Sequence, residues 1–461
     1  MMDDVRSSES GWSRDTRCAR GHSSAPAGDP AAARHRISSV HTNPERVAVI
    51  GGGIAGLTAA YLLQRRYEVL LFEADDRLGG HAHTHDVPSA RGGTIGVDSG
   101  FIVHNDRTYP FLLRLFGELG VQTQETEMSM SIGCRGCALR YAGGRGLRGL
   151  FPRSSNLRSP AYLRMLGQVK RFHRQARRLL DEPAAERTTI GDFLADGGYT
   201  DYFADHFMLP LVSTVWSADR SNTLRYPARY LFEFLDNHGM LAVSGSPCWR
   251  TVIGGSRQYV DRAVKQLTAV HLSTPVREVR RTAEGVRVRD DADAVRTVDR
   301  VVIATHPDQA LRMLPAPSAA EREVLGAFRY SRNEVWLHTD ASALPGAADG
   351  RASWNYTAAG CGADDGRVQV SYDMNRLMCL DEPIDYVVSL NPVTPPPAEA
   401  ILARMVYEHP VYTPESVAAQ HRLPELNDGV VAYAGAYHGW GFHEDGCAAG
   451  VRAAAALGVH W

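Results

Sequence analysis

A chain of 461 residues exceeds one core of ordinary size, so it should form two domains, one of them interrupted in sequence, with room for a large ligand. Apolar residues at 44% and charged residues at 22% exclude a disordered or membrane-spanning protein. A net charge of −2 supplies no basic field for nucleic acid. Seven scattered cysteines (Cys18, Cys134, Cys137, Cys248, Cys361, Cys379 and Cys447) point to a reducing cytoplasm rather than a disulfide scaffold.

Residues 1–45 mix Ser, Arg, Ala, Gly, Pro and Asp without hydrophobic periodicity, the pattern of a disordered leader or of a start site placed too early. Order is expected from Arg46, where the short apolar strand VAVI ends in three glycines and runs into the helical pattern IAGLTAAYLLQRR. A second strand, Glu68 to Phe72, completes a βαβ unit with parallel strands.

Residues 108–180 read as helical, with a glycine-rich break at 143–149, and 189–238 as helical again. Short apolar runs at 276–279, 285–288, 298–304, 334–338 and 368–372 predict antiparallel sheet. A turn-rich stretch, 392–397, precedes a strand at 430–434, glycine turns and an alanine-rich helix from about Asp445. The expected class is α/β. A discontinuous Rossmann-type nucleotide-binding domain should take 46–125, 245–305 and 425–461, and an inserted α+β substrate domain 126–244 and 306–424.

The run Gly51-x-Gly53-x-x-Gly56, with Ile54 and Ala55 inside it, follows a strand and opens a helix. In that context the first glycine permits the tight turn, the second lets backbone approach a pyrophosphate, and the third lets helix pack on strand. Glu73 ends the second strand, where a carboxylate accepts ribose hydroxyls and repels a 2′-phosphate. NAD and FAD share this fingerprint.

The choice comes from Glu73-Ala74-Asp75-Asp76-Arg77-Leu78-Gly79-Gly80, together with Asp98-Ser99-Gly100-Phe101, Gly254-Gly255-Ser256, Pro275-Val276, the strand at 301–305, and Gly435 followed by Gly446. On these residues the chain resembles the flavin amine oxidase, phytoene desaturase and protoporphyrinogen oxidase superfamily over most of 46–461. The resemblance implies FAD. It places Arg77, Gly79 and Gly80 on the pyrophosphate side, Val276 against the adenine, and Gly435, Gly446 and the last helix at the isoalloxazine. The segments GGHAHTHDV, DSGFIVHNDRTYP and AYHGWGFHEDG are similar to a bacterial subgroup associated with lipid modification.

Two departures bear on mechanism. Many amine oxidases carry a lysine near the flavin, on a strand that corresponds to 333–338. Here the only lysines are Lys170 and Lys265. After Gly80, where many relatives have arginine, stands His81, an imidazole able to carry a proton near neutral pH. Ala436 replaces the usual acidic residue, and His443, Glu444 and Asp445 follow it.

His81, His443 and Glu444 are therefore the candidate acid–base residues, each set against an ordinary packing or helix-capping role. Tyr356, Tyr372, Trp249, Trp354 and Trp440 are candidates for lining a flat apolar pocket. The reading is an FAD-dependent dehydrogenase, desaturase or isomerase acting on a hydrophobic, acyl-lipid or polyene, substrate. The alternatives are an amine oxidase and a catalytically silent flavin scaffold.

Two further features remain. Cys134-x-x-Cys137 is a lone CxxC without a second pair or a histidine cluster nearby in sequence, so it reads as unpaired thiols, with no metal site expected. Residues 135–178 hold 12 basic side chains and no acidic one. Within them Ser159 and Pro160 should start a helix whose apolar stripe is Leu163, Leu166, Val169, Phe172 and Leu179. Such a face suits the anionic inner surface of a membrane, or an acidic carrier protein, beside a cytoplasmic enzyme.

Overall fold

Arg46–Ile50 is buried from its second residue on, and so is Glu68–Phe72. Their unbroken apolar runs follow from lying in a parallel sheet covered on both faces. In this computed structural model, which describes residues 45–182, 187–242, 245–346, 350–362 and 368–461, the two strands pair in parallel register. The expected leader thus lies outside the described residues, apart from Glu45.

Three more strands complete a five-stranded sheet. Ala269–His271 pairs with Glu68–Phe72, Arg300–Ile303 with Arg46–Ile50, and Val431–Tyr433 with Arg300–Ile303, all parallel. The run 298–304 is therefore not one antiparallel strand. Val295–Val298 belongs to a small antiparallel sheet, while Arg300–Ile303 enters the parallel one, whose two-sided burial explains its continuous apolar sequence.

One face of the parallel sheet is covered by Ile54–Leu63, Pro110–Leu119 and the C-terminal helix His443–Ala456. Every residue of Ile54–Leu63 is buried, which is why it is apolar all round rather than amphipathic. The other face packs on the small antiparallel sheet and on Pro307–Met313 and Ala319–Gly326. Ala310, Val324 and Leu325 share a core with Ala48, Ile50 and Val301. A boundary at 305/306 would therefore cut through a packed core, and the helices after it belong with the nucleotide sheet.

Seven further strands form a mixed sheet in the order 401–411, 329–338, 387–390, 370–373, 354–358, 130–134, 140–143, and Trp249–Val252 pairs with Val103–Asn105 and Thr123–Glu125 in a small antiparallel sheet. Strands Met130–Cys134 and Arg140–Gly143 share a core with the helices Pro160–Leu180 and Ala228–Asn237. Strands Arg329–His338, Val370–Asp373 and Val387–Leu390 contribute to a separate core that Val87 and Val97 of the hairpin Thr84–Pro88/Thr94–Asp98 join.

Pro160–Leu180 starts as expected, with Ser159 Oγ accepting from the Tyr162 amide at 3.3 Å and proline in its first turn. Its buried stripe is Tyr162, Met165, Gln168, Phe172, Ala176 and Leu179, one position earlier in the first two turns than the sequence suggests. Leu163 is 44% exposed. Tyr162 takes the inward place because its hydroxyl donates to the Leu150 carbonyl at 2.8 Å. No helix among the described residues is long and apolar enough to cross a membrane.

The closest approach in the nucleotide core is at Gly56, where a Cβ would stand 1.8 Å from the Gly51 carbonyl oxygen, a backbone atom with no freedom to retreat. Gly56→Ala should lower stability by about 2–3 kcal/mol, despite alanine's better helix propensity. Urea unfolding of the holoprotein reads this directly, and an unchanged midpoint would show that helix and turn can part.

Candidate functional site

The glycine turn divides its tasks among its three residues. Gly51 adopts φ +103°, and a Cβ there would meet the Ala304 carbonyl oxygen at 2.6 Å. Gly56 makes the helix contact just described. Beside Gly53 a Cβ would meet nothing within 4 Å, so the face turned outward from the helix start is open space. Backbone amides, a helix N-terminus and open space are what a pyrophosphate needs. Ile54 and Ala55 are buried behind the turn, packed against Gly446 and Gly450 of the C-terminal helix, where only glycine leaves room.

Glu73 lies where the second strand ends. One carboxylate oxygen accepts from the Gly52 amide at 2.6 Å and the other from the Asp75 amide at 3.0 Å. Each oxygen keeps a further lone pair for a ribose hydroxyl. The segment carrying Val276 runs alongside, with Thr274 N donating to Glu73 O at 2.8 Å and Ser273 N to Asp75 O at 2.9 Å. Gly79 N donates to Gly52 O at 2.8 Å, and Arg77 Nη2 donates to Gly80 O at 2.9 Å, which closes the turn that leads to His81. Gly51, Gly53, Gly56, Glu73, Arg77, Gly79, Gly80 and Val276 thus form one contiguous cradle. Gly435 caps the short turn Ala436–His438, and Gly446 lies against Ala436 and Ile54.

His81 is the one candidate acid–base residue that lies directly beside this cradle with a free ring nitrogen. Its Nε2 is buried without a hydrogen-bond partner, the condition of a polar atom facing a ligand's place. Its ring is 4.9 Å from that of Tyr407 and 5.5 Å from that of His409. Burial, then the neighbouring His409 and His306, hold its pKa well below the usual imidazole value. Burial likewise lowers His409 to about 4.

Tyr407 connects this group to a hydrogen-bonded chain. Its hydroxyl lies 2.6 Å from Ser99 Oγ and 3.0 Å from His83 Nδ1, and Ser99 Oγ lies 2.9 Å from His85 Nε2. Tyr407 and His409 come from the strand Ile401–Val411, far from the glycine motif in sequence, and no local signal identified them. The alternation His81-x-His83-x-His85 was a legible one.

His443 and Glu444 are engaged elsewhere. His443 stacks on Phe101 at 3.8 Å, and its Nε2 is 2.7 Å from Tyr259 Oη. Burial lowers its pKa to about 3. Glu444 accepts from the Phe111 and Leu112 amides at 3.0 and 2.9 Å, capping the start of Pro110–Leu119, and burial raises it to about 7. Both hold the C-terminal helix to its neighbours.

The five candidate aromatics do not form one wall. Trp440 and Tyr356 pack on the helical core, Trp354 and Tyr372 meet edge-on at 5.3 Å in another, and Trp249 stacks on His238. A cleft of about 510 Å³ instead opens beside Asn333, lined by Asn222, Asn391, Val406 and Val411 among others. Asn333 Nδ2 lies 3.2 Å from His409 Nδ1, so the cleft abuts the histidine group.

A βαβ cradle for a dinucleotide, a discontinuous parallel sheet and a mixed sheet behind it define a flavin-binding α/β oxidoreductase architecture. The chain belongs to the family of flavin-containing amine oxidoreductases, whose model matches residues 54–343. FAD is the cofactor of that family, and the open face at Gly53, the Glu73 carboxylate and the unpartnered His81 Nε2 fit it.

Among curated relatives, a Mycobacterium tuberculosis protein with the provisional name of flavin-containing monoamine oxidase is 30% identical over 276 residues, 56% of each chain. The chain thus spans little more than half the length of that relative. A coproporphyrinogen III oxidase of Mycobacterium bovis is 26% identical, with 62% of this chain and 65% of that one covered. Among solved structures, cyclohexylamine oxidase from Brevibacterium oxydans superposes with TM-score 0.64 at 17% identity, covering 90% of this chain and 98% of that one. A fatty acid isomerase from P. acnes gives 0.64 at 15%, covering 88% and 97%. At such identities the likeness is one of fold.

Two outcomes follow from this geometry. Glu73→Ala should weaken FAD retention by about one to two decades, the 1.5–3 kcal/mol of hydrogen bonds to a charged group. Unchanged flavin content after dialysis would remove Glu73 from the ribose site.

The second concerns His443. Its folded pKa lies below its unfolded one, so the unfolded chain binds the proton first, and this residue's contribution to stability is full above about pH 6.5 and lost as pH falls toward 3. His443→Asn should therefore be less stable than wild type at pH 7, with the gap narrowing by about 2 kcal/mol at pH 5. A gap independent of pH in urea titrations would mean that His443 is not buried as a neutral ring.

Proposed function

We propose that this protein is an FAD-dependent oxidoreductase acting as a dehydrogenase, desaturase or isomerase on a hydrophobic, acyl-lipid or polyene, substrate. The observation that carries the reading is the histidine group at the end of the cradle, His81 with His409 and Tyr407, in a chain whose two lysines are both exposed and distant in sequence from this strand pair. Bound FAD supplies a two-electron acceptor for a hydride leaving carbon. His81 is neutral at pH 7 because burial opposes its charge, and in the tautomer protonated at Nδ1 its unpartnered Nε2 takes the proton that leaves with the hydride. His409 lies in ring contact with His81, and Asn333 anchors His409 from the cleft side. Tyr407, in ring contact with His81, opens a hydrogen-bonded chain with Ser99, His83 and His85 that lies beside the base.

Two observations support a lipid substrate. The P. acnes protein with the same fold is named a fatty acid isomerase. The basic segment presents Leu147, Leu157 and Leu163, 76%, 58% and 44% exposed, among the exposed Arg148, Arg158 and Arg164. Apolar side chains amid arginines are the make-up of a surface that rests on anionic lipid. The amine-oxidase reading keeps one support, the name of the Mycobacterium tuberculosis relative.

Anaerobic mixing separates the readings. Unsaturated fatty acyl or polyene compounds should bleach the flavin or be returned as double-bond isomers, primary amines should do neither, and His81→Asn should slow either change by about 10²–10⁴-fold. Bleaching by amines alone would transfer the protein to the amine oxidases.

For the surface, cosedimentation with anionic but not zwitterionic vesicles is expected. Replacing Arg148, Arg158 and Arg164 with Gln should weaken it about 100-fold, at about 1 kcal/mol per charge. Binding that ignores lipid charge would end the membrane reading.

A further inference from the structure

The CxxC that stands alone in sequence is not alone in the fold. Cys134 ends the strand Met130–Cys134, and Cys137 follows in the turn beyond it, where Ala138 takes a left-handed φ of +57° and the chain reverses so that Cys134 N donates to Leu139 O at 2.9 Å. The neighbouring strand Trp354–Ala358 pairs in parallel, with Ala358 opposite Cys134, and its following loop brings Cys361 alongside. The two loops meet so closely that a Cβ at Gly136 would lie 3.0 Å from Gly360 Cα. From the helical layer, the π-helical turn Ala204–Met208 delivers His206. A single widened turn of this kind redirects a side chain without ending the helix.

The four donor atoms lie within 4.8 Å of one another. Cys134 Sγ and Cys361 Sγ are 3.7 Å apart, and His206 Nε2 is 3.4 Å from Cys137 Sγ and 3.5 Å from Cys361 Sγ. A tetrahedral zinc with bonds of about 2.3 Å to sulfur and about 2.0–2.1 Å to nitrogen has edges of roughly 3.8 Å between sulfurs and about 3.6 Å between sulfur and nitrogen. These three separations match those edges, and the other three are no longer than 4.8 Å. A disulfide would need about 2.05 Å.

The imidazole is also set for the task. His206 Nδ1 lies 2.9 Å from the Tyr202 carbonyl oxygen, which can only accept, so the proton sits on Nδ1 and Nε2 presents its lone pair to the sulfurs. The ring stacks on Tyr202 at 4.1 Å, and Tyr141 Oη donates to the His206 carbonyl at 2.7 Å, which fixes the turn.

We propose that Cys134, Cys137, His206 and Cys361 bind a structural zinc ion. Three thiolates and one imidazole fill a tetrahedron and leave no open position, so the ion clamps the strand pair to the helical layer and takes no part in flavin chemistry. The sequence concealed the site because its third and fourth ligands arrive 69 and 224 residues after Cys137.

The test is metal analysis of the FAD-loaded protein, produced in zinc-supplemented medium and washed of loose metal. About one zinc per chain is expected, falling at least tenfold in Cys137→Ser/Cys361→Ser. Flavin content reports whether that variant folds. Should it not fold, titration of the wild type with a mercurial in the presence of a chromophoric zinc chelator replaces it, and about one zinc should be released while FAD stays bound. Wild-type protein with no zinc, iron in its place, or zinc undiminished in a flavin-bearing variant would each overturn the proposal.

Discussion

The contact between the glycine turn and the strand ends beneath it is the constraint on which the rest depends. Gly51 presses toward Ala304 just past the neighbouring strand, Gly56 rests on Gly51, and Gly446 and Gly450 allow the C-terminal helix to lie on Ile54 and Ala55. Residues from the beginning, middle and end of the chain therefore meet at one turn. A side chain added at Gly51, Gly56 or Gly450 would strike backbone and one at Gly446 the Ile54 side chain, whereas the space beside Gly53 is open. The turn from Gly79 to His81 is held to the same place by Gly52, so the position of the histidine group is inherited from the cradle.

Burial sets the charge state of that group. Imidazoles removed from water lose their proton, whereas buried carboxyls gain one. Asp98, which accepts from Thr84 and from both the amide and the hydroxyl of Ser256, is raised to about 6, and Asp445 at the start of the C-terminal helix is raised to about 6. The two kinds of group oppose one another in pH dependence. The depressed histidines contribute stability that grows as pH rises toward 6.5, while the raised carboxyls contribute stability that is lost as pH rises from about 4 through their folded values. Over that range the two partly cancel, and above about pH 6.5 the histidine contribution is constant.

What could be read from the sequence was what local chemistry dictates. The glycine spacing, Glu73 at a strand end, the Ser159-Pro160 helix start and the antiparallel pair at 276–290 all depend on residues within a few turns of one another. What escaped depends on long-range pairing. The strand Ile401–Val411 gives no sign in its own sequence that it will set Tyr407 and His409 against His81, and nothing near the CxxC names His206 or Cys361. His443 and Glu444 show the converse: residue types suited to catalysis, at the start of the C-terminal helix, that the fold uses for packing and capping. The leucine stripe shifted for a similar reason, since Tyr162 found a carbonyl for its hydroxyl and turned inward in place of Leu163.

The cradle from Gly51 to Gly80 is built to hold FAD by hydrogen bonds and packing alone. Acid precipitation of the purified protein, with chromatography of the supernatant, is the decisive measurement. The account predicts a colourless pellet and free FAD at about one per chain, as noncovalent retention by a βαβ cradle requires. A pellet that keeps its colour, or a supernatant that contains NAD in place of FAD, would contradict it.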